Sequence, residues 1–158
     1  MPKFVSSYPE HQKREDTKLL HTPSTAVTVT GTDAAALYQE VPDCVAIMFF
    51  LDLTDIASDA GDKLDVFIQT SYMVGTVERW IDIVHFAQVL GNVATDIYQI
   101  AKVSANGAEA IFETVAGAAL AAGAVRNILG RRYRTRWEIT AGVGTHTFGF
   151  QTGLQPIG

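Results

Sequence analysis

Polar and apolar residues alternate most regularly in the last third of the chain. Residues 131–140 read RRYRTRWEIT and residues 145–151 read THTFGFQ. Because a β-strand places every second side chain on the same face, these runs predict two strands, each with one face in the core. The outward face of the first strand is predicted to carry Arg132, Arg134 and Arg136 at intervals of about 7 Å.

Short extended runs separated by turn residues predict further strands upstream. The predicted strands are 25–30, 44–53, 63–71, 78–86, 96–103, 110–115, 131–140 and 145–151. Gly or Asn stands in the turns between many of them, as tight turns favour. About eight strands at this spacing predict an all-β fold, a single β-sandwich or jelly roll over residues 25–158. Residues 116–129, rich in Ala and Gly, are predicted to be a long loop with at most a short helix.

Residues 1–24 differ from the rest of the chain. They contain three prolines, mixed charges and few apolar side chains. This composition predicts an extended N-terminal arm rather than a core element. Phe4 and Tyr8 give the arm apolar side chains that a groove in a neighbouring subunit can bury, whereas a disordered tail is the alternative.

The run 44–53 is apolar on both of its faces. One face carries Val45, Ile47, Phe49 and Leu51, and the other carries Cys44, Ala46, Met48 and Phe50. A two-layer sandwich normally buries only one face of a strand. The second face therefore needs the loop after residue 116, the arm or another subunit to cover it. Met48 and Phe50 are the leading candidates for a contact between subunits.

Composition and charge narrow the classes of function. A chain of 158 residues that is 47% hydrophobic fits one globular domain. The net charge of -5 disfavours a general role in binding nucleic acid. Cys44 is the only cysteine, which excludes an internal disulfide and suggests a small buried side chain. No apolar signal-peptide core begins the chain, and the most apolar stretch, 108–125, is mostly Ala and Gly with two Glu residues, so we expect no membrane association.

The sequence contains no motif that identifies an active site. It lacks the Gly-x-Ser-x-Gly elbow, a phosphate-binding Gly-rich loop and the His-Glu-x-x-His pattern. Its four histidines are scattered without the spacing of a zinc site, and the aspartates between Asp52 and Asp65 do not match a calcium loop. We therefore expect no catalysis, no metal and no cofactor, and we expect His85 and His146 to be rim or core residues.

Two groups of residues have both a structural and a functional interpretation. Trp80 and Trp137 are either core residues or an exposed aromatic platform for sugars, and their apolar strand neighbours favour the core. The arginine ladder of Arg132, Arg134 and Arg136 is either a solvated face that discourages edge-to-edge aggregation or a surface that binds carboxylates of a partner.

Several segments taken together resemble small β-sandwich virion proteins of tailed bacteriophages, in particular capsid decoration (cement) proteins. These segments are Leu64–Ser71, Glu78–Asp82 with Phe86, Leu129–Ala141 and His146–Phe150. The resemblance covers roughly residues 44–151. It implies a jelly-roll fold and a place on the outer capsid surface of a virion after synthesis in the host cytoplasm. It also implies binding to the major capsid protein, self-association into trimers or dimers, and no catalysis.

Two other functions stay open from the sequence. One is a carbohydrate-binding module on a virion or a secreted enzyme, and the other is a structural protein of a phage tail or neck. A sugar binder should place at least one Trp flat on the surface. A cement protein should bury both Trp side chains and expose apolar contacts.

Overall fold

A computed structural model shows two antiparallel β-sheets packed face to face. The structure describes residues 17–22, 27–41, 43–91, 97–105, 120–141 and 146–158. The strands in these residues are β1 (Lys18–His21), β2 (Gly31–Thr32), β3 (Gln39–Glu40), β4 (Ala46–Ser58), β5 (Lys63–Val74), β6 (Val77–His85), β7 (Val89–Leu90), β8 (Tyr98–Ser104), β9 (Arg132–Thr140) and β10 (His146–Ile157). A 3-10 turn, Ala35–Leu37, precedes β3.

The order of strands defines the two layers. One sheet has four strands in the order β1-β10-β4-β8. The other has six strands, with the order β2-β9-β5-β6, while β3 pairs with β9 and β7 pairs with β5. All of these strand pairs are antiparallel. The predicted all-β sandwich is therefore confirmed, and its finer assignment as a jelly roll stays a prediction.

Alternation along the long strands fills the space between the sheets. Ile47, Phe49 and Leu51 of β4 are fully buried, and Tyr133 of β9 packs against Phe49 with ring centroids 5.5 Å apart. Trp137 is buried in the same core, as predicted. Each such side chain stabilises the fold by about 1.5–3 kcal/mol through removal from water.

The predicted boundary of the N-terminal arm at residue 24 is wrong. Lys18–His21 form strand β1, which pairs with β10 at the edge of the four-stranded sheet, and Leu20 is fully buried. Four residues are too few for a two-residue period to be recognised in the sequence, and the pairing with β10 supplies the stability that the segment lacks alone. Residues 1–16, with Phe4 and Tyr8, lie outside the described residues.

Other strand boundaries also differ from the prediction. β4 and β10 extend to Ser58 and Ile157 because they pair with each other along their whole length. In the predicted strand 25–30, the described residues form only a bridge between Val27 and Phe148. The predicted strand 110–115 lies outside the described residues. Residues 120–129 contain no helix, as predicted.

A β-bulge in β6 reverses the alternation of its side chains. Ile68 of β5 pairs with Val84, but the next residue, Gln69, pairs with Asp82, so β6 contains one extra residue at this point. Val84 therefore faces the core, whereas Asp82 and Trp80 face outward. The predicted core position of Trp80 is wrong for this reason.

Candidate interaction surfaces

A continuous row of three apolar residues and one glycine crosses the outer face of the four-stranded sheet. Leu19 of β1 lies opposite Gly153 of β10, Gly153 lies opposite Phe50 of β4, and Phe50 lies opposite Ile100 of β8. We call these four residues the outer apolar row. The row runs across all four strands, and its ends are open to solvent, with Leu19 43% and Ile100 61% exposed.

The centre of the row is formed by an aromatic ring lying on a glycine. A Cβ atom added to Gly153 would overlap the ring of Phe50, so only glycine leaves room for that ring. Tyr98 stacks against Phe50 with ring centroids 6.3 Å apart and is 58% exposed. Phe50 and Met48 face away from the core, as the alternation predicted, and their role in a contact between subunits stays a prediction.

Polar groups border the row on both sides along the strands. On one side Met48 lies opposite Lys102 and Gln155. On the other side Gln151 donates a hydrogen bond of 2.7 Å to Asp52. An apolar centre with a polar rim is the usual arrangement of a protein–protein interface.

The hairpin of β5 and β6 forms a second exposed apolar surface. The pairing of β5 with β9 ends at Thr70, and beyond it β5 pairs with β6 alone among the described strands. Gly75 turns the chain with a positive φ of 63°. The apolar residues that surround this turn are between 48% and 61% exposed; they are Tyr72, Met73, Val74 and Val77. We call these four residues the hairpin tip. The sequence did not indicate the hairpin tip, because the strand predicted over residues 63–71 ends before it.

The arginine ladder lies on the outer face of the six-stranded sheet, as predicted, but the charges of Arg132 and Arg136 are paired within the chain. Arg132 donates to both carboxylate oxygens of Glu78, at 3.0 and 3.1 Å. Arg136 donates to Asp82 at 3.0 Å and to Glu138. The two acidic residues on β6, Glu78 and Asp82, thereby join that strand to β9 across β5.

Arg134 occupies the centre of the ladder and covers Trp80. Its guanidinium group donates to Gln69 at 2.7 Å and to the hydroxyl of Tyr38 at 3.0 Å, and it lies 4.1 Å from the centre of the Trp80 ring. Tyr38 meets the same Trp ring edge-on. Such cation–π contacts stabilise a structure by about 0.5–2 kcal/mol each. Trp80 is thus half-buried with a cation on its ring, which differs from both the core and the sugar-platform interpretation.

Ion pairs within the chain affect whether the ladder can bind the carboxylates of a partner. Burial acts to lower the pKa of Arg136, but the hydrogen bonds and charges of Asp82 and Glu138 outweigh it and raise that pKa above its ordinary value. β9 also lies between β5 and the short strands β2 and β3, so it is not the edge strand that the solvated-face interpretation assumed. Recognition of partner carboxylates by the ladder stays a prediction, and such a partner must compete with the bonds within the chain.

A buried polar network joins the two sheets at the β1 side of the sandwich. Nδ1 of His21 lies 2.7 Å from one carboxylate oxygen of Asp33, and the other oxygen accepts the backbone N–H of Thr135 at 2.9 Å. The hydroxyl of Thr135 lies 2.6 Å from that of Thr152. Asp33 and His21 are both buried. No sequence motif marks this network, because its members are far apart in the chain.

A second pair of histidine and aspartate holds the segment that follows residue 120. Nε2 of His85 lies 2.9 Å from Asp65, and Nδ1 lies 2.6 Å from the carbonyl oxygen of Leu120. The backbone of His85 also bonds to Ala124 and Gly123. Both ring nitrogens of His85 are therefore engaged in holding structure, which agrees with the predicted rim or core position.

Tyr133 fastens the end of the same segment to the core. Its hydroxyl donates to the carbonyl oxygen of Gly130 at 2.8 Å and accepts from the Gly130 N–H at 3.1 Å. Burial, followed by the charge of nearby Cys44, raises the pKa of Tyr133 to about 12 from its ordinary value of 10.0. Cys44 itself, predicted to be a small buried side chain, is partly buried.

The raised pKa of Tyr133 predicts a loss of stability in alkaline solution. Because the pKa is higher in the folded protein, the stabilisation is fully present below pH 10 and is lost as the pH rises through 12, by about 2–3 kcal/mol. Urea unfolding between pH 9 and pH 12 measures this loss. In Tyr133→Phe the part of the loss that comes from ionisation of Tyr133 should be absent. An equal loss of stability in wild type and in Tyr133→Phe would show that other groups cause it.

The remaining findings limit the kinds of site that the described residues form. No helix in the described part of the chain is long and apolar enough to cross a membrane. In the same residues, no three His, Cys, Asp or Glu side chains come together in a group that could hold a metal ion. Antiparallel sandwiches serve many unrelated functions, so the fold class alone does not indicate one. Comparison with protein-family models, with curated proteins and with solved structures finds nothing that matches this chain.

Proposed function

We propose that the protein is a non-enzymatic structural protein of a tailed-bacteriophage virion. In this proposal it self-associates as a trimer or dimer, binds the outer capsid surface across major capsid subunits, and stabilises the shell. The observation that supports it is the outer apolar row, which crosses a whole sheet without a cover among the described residues. Exposed apolar patches with a polar rim mark protein–protein contacts.

The size of the row sets the strength of the self-association that it supports. In a twofold pair, Leu19, Phe50, Tyr98 and Ile100 are contributed by both subunits. Leu19, Tyr98 and Ile100 are about half exposed, whereas Phe50 is already mostly buried. Completing the burial of a half-exposed side chain gains roughly 1 kcal/mol, so a pair gains on the order of 6 kcal/mol from these three residues. The loss of free movement on association costs about 4–15 kcal/mol. The row alone therefore supports a weak pair, and a stable assembly needs further contacts.

The hairpin tip supplies a separate surface for binding the shell. It belongs to the six-stranded sheet, whereas the outer apolar row lies on the outside of the other sheet. A protein that self-associates and also binds a capsid shell needs two separate contact surfaces. We therefore propose that the hairpin tip contacts the major capsid protein.

Replacing both Met73 and Val74 by Asp tests this assignment. We expect occupancy on particles of the phage that encodes the chain to fall at least about tenfold, because two apolar contacts of roughly 1 kcal/mol each are replaced by unpaired charges. The oligomeric state in solution should not change. Occupancy is measured by sedimenting particles with added protein, and Thr32→Asp, at an exposed position on β2 of the same sheet, is the control for charge. Equal occupancy of the double variant and the control would remove the hairpin tip from the proposal.

The same particles separate the proposed function from its alternatives. Immunogold labelling of the head supports a decoration protein, and labelling of the tail or neck supports the tail alternative. Failure to co-purify with particles contradicts both. Neither Trp favours a carbohydrate-binding module, since Trp137 is buried and Arg134 lies over Trp80.

A further inference from the structure

Strand β8 has one backbone edge that no described strand pairs with. It is the last strand of the four-stranded sheet and pairs only with β4 among the described strands. Hydrogen bonds from Leu53 to the Ile97 carbonyl and from Ala105 to the Val45 carbonyl, both 3.0 Å, fix which residues of β8 face β4. Because neighbouring residues in a strand point their backbone groups to opposite sides, Tyr98, Ile100 and Lys102 direct theirs away from β4.

No described residue bonds to these outward groups, although the next outward N–H along the strand is satisfied. That N–H belongs to Ser104 and donates to the side chain of Asn127 at 3.1 Å. A groove of about 330 Å³ runs beside the open part of β8, with Ile100 and Lys102 on one side and Phe86 and Val125 on the other. An open strand edge beside a groove is the geometry that accepts an added peptide strand.

We propose that the open edge of β8 binds residues 3–8 of a second copy of this chain as an added β-strand. The inference rests on the proposed self-association, which brings the second copy close. It adds backbone hydrogen bonds to the pair, and these are the further contacts that the outer apolar row needs.

The arm has the length and the side chains that this edge requires. Pro2 and Pro9 bound a stretch, Lys3–Tyr8, in which every residue retains its N–H. The open part of β8 from Tyr98 to Lys102 is five residues long, so this stretch of six residues can pair along all of it. Phe4 and Tyr8 lie an even number of residues apart, so a strand places both on the same face. On the outer face they extend the apolar row beyond Ile100.

A second copy suits this edge better than the chain's own arm. The arm joins β1, and β1 and β8 are opposite edges of the same sheet. To reach its own β8, the chain must carry residues 9–16 past the outer face between these two edges, where Met48 and Phe50 lie. That segment is PEHQKRED, which is charged or polar after its first residue, and burying charges against apolar side chains is unfavourable.

A twofold pair avoids this crossing. When two outer faces pack with the twofold axis parallel to the strands and midway across the sheet, β1 of one copy lies over β8 of the other. The two sheets are then about 10 Å apart. Residues 9–16 bridge that gap easily, since an extended chain spans about 3.3 Å per residue.

Cross-linking between differently substituted full-length chains tests the proposal. In a Cys44→Ala background, one chain carries Ser6→Cys and the other carries Lys102→Cys, and the mixture is treated with a short bismaleimide. We expect at least about tenfold more product than with a Thr32→Cys chain, because an added strand raises the effective concentration far above that of free encounter. Thr32 is exposed on β2 of the opposite sheet and serves as the matched control. Equal yields with Lys102→Cys and Thr32→Cys, while light scattering still shows self-association, overturn the inference and leave the proposed function standing.

A chain with both Ser6→Cys and Lys102→Cys distinguishes the two sources of the strand. Covalent dimers support exchange between copies, whereas intrachain links without dimers show that the chain's own arm fills the edge and overturn the proposal. As a second measurement, Ile100→Pro removes one outward N–H without touching the β4 ladder, and Ile100→Val keeps both that N–H and an apolar side chain of similar size. Hydrogen exchange at residues 3–8 should be slow in wild type and in Ile100→Val, and at least about tenfold faster in Ile100→Pro, because an edge strand without that bond opens more readily. Fast exchange in all three proteins contradicts an added strand.

Discussion

Replacing Asp33 by Ala should destabilise the fold by about 3–5 kcal/mol, because a buried hydrogen-bonded carboxylate is lost and its partners stay behind. The ring nitrogen of His21 and the backbone N–H of Thr135 then lose their acceptors in the core. Each unsatisfied buried group costs about 1–3 kcal/mol. Urea unfolding measures the change, and Asp43→Ala, at an exposed position, is the control.

Further variants separate the contribution of the network's hydrogen bonds to stability from the effect of removing side-chain volume. Asp33→Asn keeps an acceptor for Thr135 and should cost less than Asp33→Ala. In His21→Phe the ring can still stack on Phe150, whose centroid lies 4.4 Å from that of His21. Adding His21→Phe to Asp33→Ala should therefore recover part of the lost stability, since an apolar group replaces an unsatisfied polar one. If the two changes are additive, the residues do not act as a pair and the network contributes little.

The sequence could predict the sandwich because its long strands alternate. β9 shows this most clearly, with Tyr133 and Trp137 buried and the three arginines on the other face. The ends of β10 and the existence of β1 could not be predicted in the same way. Residues 152–157 read TGLQPI, in which Gly and Pro are signals that usually end strands. Pairing with β4 along the whole segment, and with β1 at residues 152–154, keeps it extended.

The error at Trp80 shows where alternation fails as a guide. A period of two assumes an unbroken ladder, and one extra residue in β6 between Trp80 and Val84 places them on opposite faces. The sequence does not mark the bulge with a Gly. The contact of Trp80 with Arg134 follows from that bulge, so it too could not be predicted from the sequence.

The candidate surfaces were predicted in part. Phe50 and Met48 were identified because they occupy the second face of an apolar strand, which is a local property of the sequence. Their neighbours in the outer apolar row, Leu19 and Ile100, were not identified, since the row depends on strand order. The partners of the arginine ladder depend on the register of β6 for the same reason. Surfaces that combine several strands are thus visible only once the pairing is known.

Phe50→Asp should convert the self-associated protein to monomer at micromolar concentration. Phe50 lies between Gly153 and Ile100 at the centre of the outer apolar row, so both subunits of a twofold pair lose their central contact. The loss of two Phe contacts and the burial of two unpaired carboxylates should cost at least about 3 kcal/mol, which is more than a hundredfold in the dissociation constant. Light scattering across a dilution series measures the oligomeric state.

The control for Phe50→Asp is Leu90→Asp, which adds the same charge at a half-exposed apolar residue of β7 in the other sheet. It should leave the oligomeric state unchanged. Because Phe50 lies on the outer face and outside the core between the sheets, its replacement should leave the monomer folded, and the melting temperature of the monomer separates loss of association from loss of folding. A wild-type protein that is monomeric at micromolar concentration contradicts the proposed self-association. A folded Phe50→Asp variant that associates like wild type shows that a different surface joins the copies.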